Sequence, residues 1–164
     1  MDRQGRREEN GYRTESAGID MGRPGKGVAK SAGLAGPGGP SRRWTQAEPD
    51  NGYAWIDLGF AYSQLDRHQE ALKAYREVLR IKPDNSKTLF VLGITYNQLG
   101  RHQEASAAYR EALRLKPDYV KAWAALAFTY DLSGNRSAAL EAVKGLPRYD
   151  PQKANDIFNL IVKP

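Results

Sequence analysis

Four prolines, Pro49, Pro83, Pro117 and Pro151, stand 34 residues apart. Between them Trp55, Leu58, Gly59, Tyr62, Ala71 and Tyr75 recur one interval on as Leu89, Leu92, Gly93, Tyr96, Ala105 and Tyr109, and a weaker third copy runs from Trp123 to Pro151. No insertion disturbs the register, and the string Arg-His-Gln-Glu-Ala appears at both 67–71 and 101–105. A fixed period of this length points to one supersecondary unit stacked on itself rather than a single globular core.

Each unit divides into two helices at a polar turn. In the middle copy Leu89, Leu92, Tyr96 and Leu99 fall at i, i+3, i+7 and i+10, the stripe of a first helix. Gly100 breaks it. After Arg101-His102-Gln103, the residues Ala105, Ala108, Tyr109, Ala112 and Leu113 form a second stripe that stops before Lys116-Pro117-Asp118. Proline cannot donate the next helical hydrogen bond, so the chain turns there. Gly59 with Ala71, and Gly93 with Ala105, are the small residues expected where two helix backbones approach closely. A larger side chain there should cost about 1 to 3 kcal/mol through overpacking.

These residues carry a resemblance: residues 52–153 are similar to the tetratricopeptide repeat family, whose 34-residue helix-turn-helix units share a W-L-G-Y-A-F-P pattern. The resemblance implies an all-α, right-handed superhelical solenoid, with units at 52–85, 86–119 and 120–153. The third departs from the pattern, with Ala127 for the first-helix glycine, Val143 for the second-helix aromatic, and Gly145 and Pro147 within its second helix. That helix is expected to end near Lys144 or Gly145. Repeat arrays need capped ends, and residues 154–164 are expected to supply a short amphipathic helix through Ile157, Phe158, Leu160 and Ile161. At the other end residues 44–51 read as a lead-in turn with no helix before it. The first helix then presents an uncovered edge, a route to self-association through residues 53–65.

Residues 1–43 are of a different kind. They hold most of the glycine and almost no large apolar side chain, too little to offset chain entropy, and are expected to be disordered. From Met21 to Ala47 there is no acid, while Arg23, Lys26, Lys30, Arg42 and Arg43 make the arm basic. An inert tail, a basic tether, and a start assigned upstream of the true one at Met21 or later all fit this composition.

Chemistry is excluded more readily than assigned. There is no cysteine, hence no disulfide, thiolate metal site or thiol nucleophile. His68 and His102 occupy one place in successive units, but zinc needs three or four ligands, and both read as solvated turn residues. Gly22 to Gly27 lacks the lysine of a phosphate loop. Asp57 and Asp131 have no partner at a spacing suited to acid and base work. The sequence offers no site for a cofactor, no metal site and no catalytic set. The longest apolar run, Ala122 to Phe128, is too short to span a bilayer, and no secretory signal opens the chain; a cytoplasmic location is the expectation.

What remains is binding, by a non-enzymatic scaffold. In the family the first helix of each unit lines the inner groove, and the resemblance places that groove on Tyr53, Ile56, Phe60, Ser63 and Gln64 in the first unit. It continues through Lys87, Phe90, Ile94, Asn97 and Gln98, then Lys121, Ala124, Phe128, Asp131 and Leu132. Phe60, Ile94 and Phe128 share one repeat position where many relatives carry asparagine, which predicts a partner with apolar anchors, a helix or extended segment. Asn97, Gln98 and Gln64 are expected to bond its polar atoms. The clamp that relatives use for chaperone C-terminal tails needs lysine, asparagine and arginine, and of the residues this chain has there, Ile56, Phe60, Val91, Lys121 and Ala125, only Lys121 matches, so such tails are not expected. An alternative rests on charge. The net charge is +6, and Arg76 with Arg80, Arg110 with Arg114, and Lys144 with Arg148 stack in register on the second helices. That row could follow nucleic acid or an acidic partner, although Glu77 and Glu111 interleave it.

Overall fold

A computed structural model of the chain describes residues 40–146 and 148–162, without the side chains of residues 40–42, 44 and 162. The disordered arm expected at 1–43 lies outside the described residues up to position 39. Among the described residues there are eight helices and no strand. They are α1 (Pro40–Ala47), α2 (Gly52–Gln64), α3 (His68–Ile81), α4 (Ser86–Gln98), α5 (His102–Leu115), α6 (Val120–Leu132), α7 (Arg136–Gly145) and α8 (Pro151–Val162). Three hairpins, α2–α3, α4–α5 and α6–α7, each pack on the next, and α8 closes the end against α6 and α7. Nearly every packing partner is a neighbour in sequence, which makes the molecule a helical solenoid.

Local chemistry sets the helix ends. Asn51 Oδ1 accepts from the amides of Tyr53 (3.1 Å) and Ala54 (3.3 Å), and Asn85 Oδ1 from Thr88 (3.1 Å), so α2 and α4 start on satisfied N-caps. The third equivalent position is Tyr119, which supplies no side-chain cap. The turn inside each hairpin places one residue in the left-handed region, at Asp66 (φ 54°), Gly100 (φ 70°) and Gly134 (φ 76°). Glycine adopts this without steric penalty, whereas Asp66 does so at some cost. Trp55 and Trp123, both half-buried, tie the preceding turn to the first helix through indole Nε1, which donates to the Pro49 and Pro117 carbonyls at 2.8 Å in each case.

Within a hairpin the close contact is between a glycine and an aromatic ring. A Cβ on Gly59 would lie 2.5 Å from Tyr75 Cε1, and one on Gly93 would lie 2.5 Å from Tyr109 Cε1. Ala71 and Ala105 are fully buried nearby, but it is the rings that forbid a side chain at the glycines. In the third unit both members change together, to Ala127 and Val143, and both are buried. A methyl group has been gained where a ring has been given up, so the third unit keeps close packing by a different division of volume.

Sequence expectations are corrected at both ends of the array. Residues 44–51 are not simply a lead-in turn, because α1 occupies 40–47, and residues 40–43 belong to it rather than to the arm. Pro40 suits a helix start, where its missing N–H costs nothing, and no further breaker follows before Ala47. Helix α1 packs on α2 with Thr45 buried. It stands where a preceding repeat would, so the uncovered edge on which self-association rested is absent among the described residues. Helix α8 begins at Pro151 rather than at 154 and buries Ala154, Ile157 and Ile161, a stripe at i, i+3 and i+7. Phe158 and Leu160, grouped with the capping face by the sequence, are exposed instead.

Replacing Gly93 with Ala should destabilise the chain by about 1 to 3 kcal/mol in denaturant unfolding. In that background Tyr109→Val should cost less than it does in wild type, the sign of coupling that a double-mutant cycle reads directly. Asp66→Gly should raise stability by up to about 1 kcal/mol, seen as a higher denaturation midpoint with an unchanged slope.

Candidate partner-binding face

A helix turns by about 100° per residue, so a side chain two positions from a buried one faces the other way. Leu58, Leu92 and Leu126 enter the core, and Phe60, Ile94 and Phe128, two residues on, emerge at 47%, 38% and 39% exposure. The first helices α4 and α6 also lie side by side, so Ile94 and Phe128 belong to one continuous face. Tyr53 and Leu132 extend the exposed apolar surface at its ends, with Gln64, Lys87, Gln98, Lys121 and Asp131 exposed around it. Ile56 and Ser63 are half-buried, and Ala124 is buried. Phe90 is half-buried because its ring packs on Tyr109 and Tyr119, with centroids 5.7 and 5.0 Å apart.

Asn97 is not a free recognition group. Its Nδ2 donates to Thr129 Oγ1 at 2.7 Å in the next unit and lies 3.4 Å from the Tyr109 hydroxyl, while its Oδ1 is 3.0 Å from His102 Nδ1. An amide oxygen can only accept, so the His102 proton sits on Nδ1. His102 and His68 are thus half-buried first residues of α5 and α3 rather than solvated turn residues. Thr129 is fully buried, and its hydroxyl donates to the Ala125 carbonyl at 2.7 Å. Ser63, at the Asn97 position of the first unit, is too short for such a bridge and donates to the Gly59 carbonyl at 3.0 Å. Burial pushes the Tyr109 hydroxyl up to about 12, a rise that its hydrogen bond with Asn97 opposes. Burial likewise raises Tyr75.

The cations of the second helices are largely balanced. Arg80 pairs with Glu77 (2.8 Å) and Asp50 (3.0 Å), Arg114 with Glu111 (2.7 Å), and Lys144 with Glu141. Arg76 Nη2 donates to the Tyr96 hydroxyl at 2.9 Å. Arg110 is exposed, and so is Arg148, which lies beyond the end of α7 instead of on a second helix as the sequence suggested. The row is therefore a string of local i, i+3 pairs more than a continuous positive stripe. Their partner arginines hold Glu70, Glu104 and Glu111 below the usual glutamate range, with Arg67 and Arg101 acting on the first two. Among the described residues no three His, Cys, Asp or Glu side chains gather where a metal ion could be held. No helix there is long and apolar enough to cross a membrane.

Three stacked hairpins in 34-residue register, closed by a terminal helix, define a helical-repeat scaffold. The tetratricopeptide repeat family is matched over residues 52–118 and again over 96–161, and the chain belongs to that family. Among solved structures it is similar to MamA, with a TM-score of 0.69 at 21% identity over 74% of this chain and 72% of that one. A point mutant of MamA gives 0.57 at 30% identity, over 71% and 80%. TTC0263, a thermophilic TPR protein of Thermus thermophilus, gives 0.61 at 22% identity, over 74% and 67%. The chain spans slightly less than two thirds of several further MamA structures. No curated protein matches it in sequence.

Asp57 stands where the later units carry Val91 and Ala125, which pack against the core. Burial raises its pKa above the ordinary value of 3.8. Its folded-state pKa therefore exceeds that of the unfolded chain, so the ionised form opposes folding at neutral pH, and the opposition fades as pH falls through the carboxylate range. Asp57→Asn should unfold at a temperature equal to or above wild type at pH 7. That difference should shrink as the pH approaches 3.8, a comparison in which the titrations of Glu70, Glu104 and Glu111 cancel.

Proposed function

We propose that the chain is a non-enzymatic adaptor that takes up an apolar-anchored helix or extended segment of a partner protein on the face of its first helices. Tetratricopeptide repeat proteins bind other proteins, and the first-helix face is the inner one in this family. The observation that supports this reading is the exposed row Phe60, Ile94 and Phe128, one bulky apolar side chain per unit at a single repeat position. Exposed apolar area in such a regular row is costly unless something covers it. Gln64 and Gln98 are placed at its margin to bond a partner's polar atoms, and Lys87 and Lys121 to meet its acids. Asn97 is left out of this role because its amide is engaged within the molecule.

The test is a selection of displayed peptides on the wild-type chain, followed by their affinity for the Phe60→Glu, Phe128→Glu double variant. Both positions face solvent, so the fold should be retained by circular dichroism, while affinity should fall by tenfold or more, about the cost of losing an interface anchor. Binding that rests on apolar anchors should persist at raised salt. Selected peptides that bind the double variant as tightly as wild type would move the site elsewhere.

A further inference from the structure

Residues one repeat apart differ between the two places where successive second helices face each other. In the first, between α3 and α5, Arg76 bonds the Tyr96 hydroxyl at 2.9 Å, and its charge also acts on Glu104. In the second, between α5 and α7, the corresponding positions hold Arg110, Tyr130 and Ala138. Arg110 and the Tyr130 hydroxyl make no hydrogen bond or ion pair among the described residues. Ala138 replaces Glu104, which one repeat earlier pairs with Arg101 and acts only weakly on Arg76, and Trp123 replaces Leu89. The result is an open cavity of about 540 Å³ floored by Leu113, Trp123, Leu126, Tyr130 and Ala142, with Arg110 beside it. At its rim Arg114 is balanced by Glu111, and Glu141 by Lys144. Leu126 and Tyr130 flank Phe128 two residues to either side, about 200° round α6, so this cleft is a separate face from the apolar row.

We propose that this cleft binds a partner segment in which a carboxylate adjoins an aromatic side chain. The carboxylate accepts from Arg110 and from the Tyr130 hydroxyl, the two donors that are joined to each other one repeat earlier, and the ring lies on Trp123 and the aliphatic floor. Charge complementarity selects this occupant over a polyanion. Among the described residues Arg110 is the one cation of the cavity without an acidic partner, so the site matches one carboxylate rather than a chain of phosphates.

The full chain, labelled with ¹⁵N, is titrated with an end-capped Asp-Phe dipeptide and with its Asn-Phe counterpart. Asp-Phe should shift the Trp123 indole N–H and amides near Arg110 and Ala138, and Asn-Phe should bind about tenfold more weakly. Arg110→Gln should lower the Asp-Phe affinity by a similar factor, and Phe60→Glu should leave it unchanged. Absence of shifts at Trp123 at millimolar peptide, equal affinity for the two dipeptides, or insensitivity to Arg110→Gln would overturn the proposal. Displacement of Asp-Phe from Trp123 by a short DNA strand would reassign the cleft to polyanions.

Discussion

In each of the first two hairpins a tyrosine ring lies on the bare backbone of a glycine, Tyr75 on Gly59 and Tyr109 on Gly93, with no room for a methyl group between them. That contact sets how near the two helices of such a unit can come. It also carries polar chemistry, since the buried hydroxyl of Tyr109 meets Asn97, which bonds Thr129 in the next unit. Packing inside one hairpin is thereby linked to registration between hairpins. The turn of the first helices that buries Leu58, Leu92 and Leu126 leaves Phe60, Ile94 and Phe128 outside, so the candidate binding face is a by-product of the same geometry.

The family and the order of the helices were legible in the sequence because a repeated pattern states the same message more than once. Any one Gly or Tyr is ambiguous, but Gly59 with Tyr75 and Gly93 with Tyr109 at constant spacing are not. The outward direction of Phe60, Ile94 and Phe128 was legible for the same reason. What escaped was local and occurred once. Helix α1 ends 34 residues before α3 does, but its residues do not repeat the second-helix signature, and eight residues show too little periodicity to be read as a helix. The engagement of Asn97 was hidden because its partners, Thr129 and His102, occupy positions where nothing in the pattern demands a hydrogen-bonding residue. Asp66 escaped because the equivalent Gly100 and Gly134 announce a left-handed turn while an aspartate there looks like ordinary surface.

Charge tells a related story. The second helices look uniformly basic when only arginines and lysines are counted. Acids three residues away neutralise Arg80, Arg114 and Lys144, at exposed positions where each pair adds little to stability. Arg110 is an exception, and around it Glu104 has become Ala138 and Leu89 has become Trp123. Departures from a repeat are therefore as informative as the repeat, since each marks a place where one unit has ceased to serve only its neighbours.

The bridge from Asn97 to Thr129 gives the array a fixed order. Ser63 in the first hairpin cannot span that gap, and Asp131 in the third, which occupies the same position, has only the cap α8 beyond it. Shuffling the hairpins would thus cost Asn97 its bond across the seam, while the threonine hydroxyl would keep its bond to its own helix, as Thr95 does with Val91. Three segments that resemble copies are in practice keyed to their seats, like masonry cut for one course of an arch.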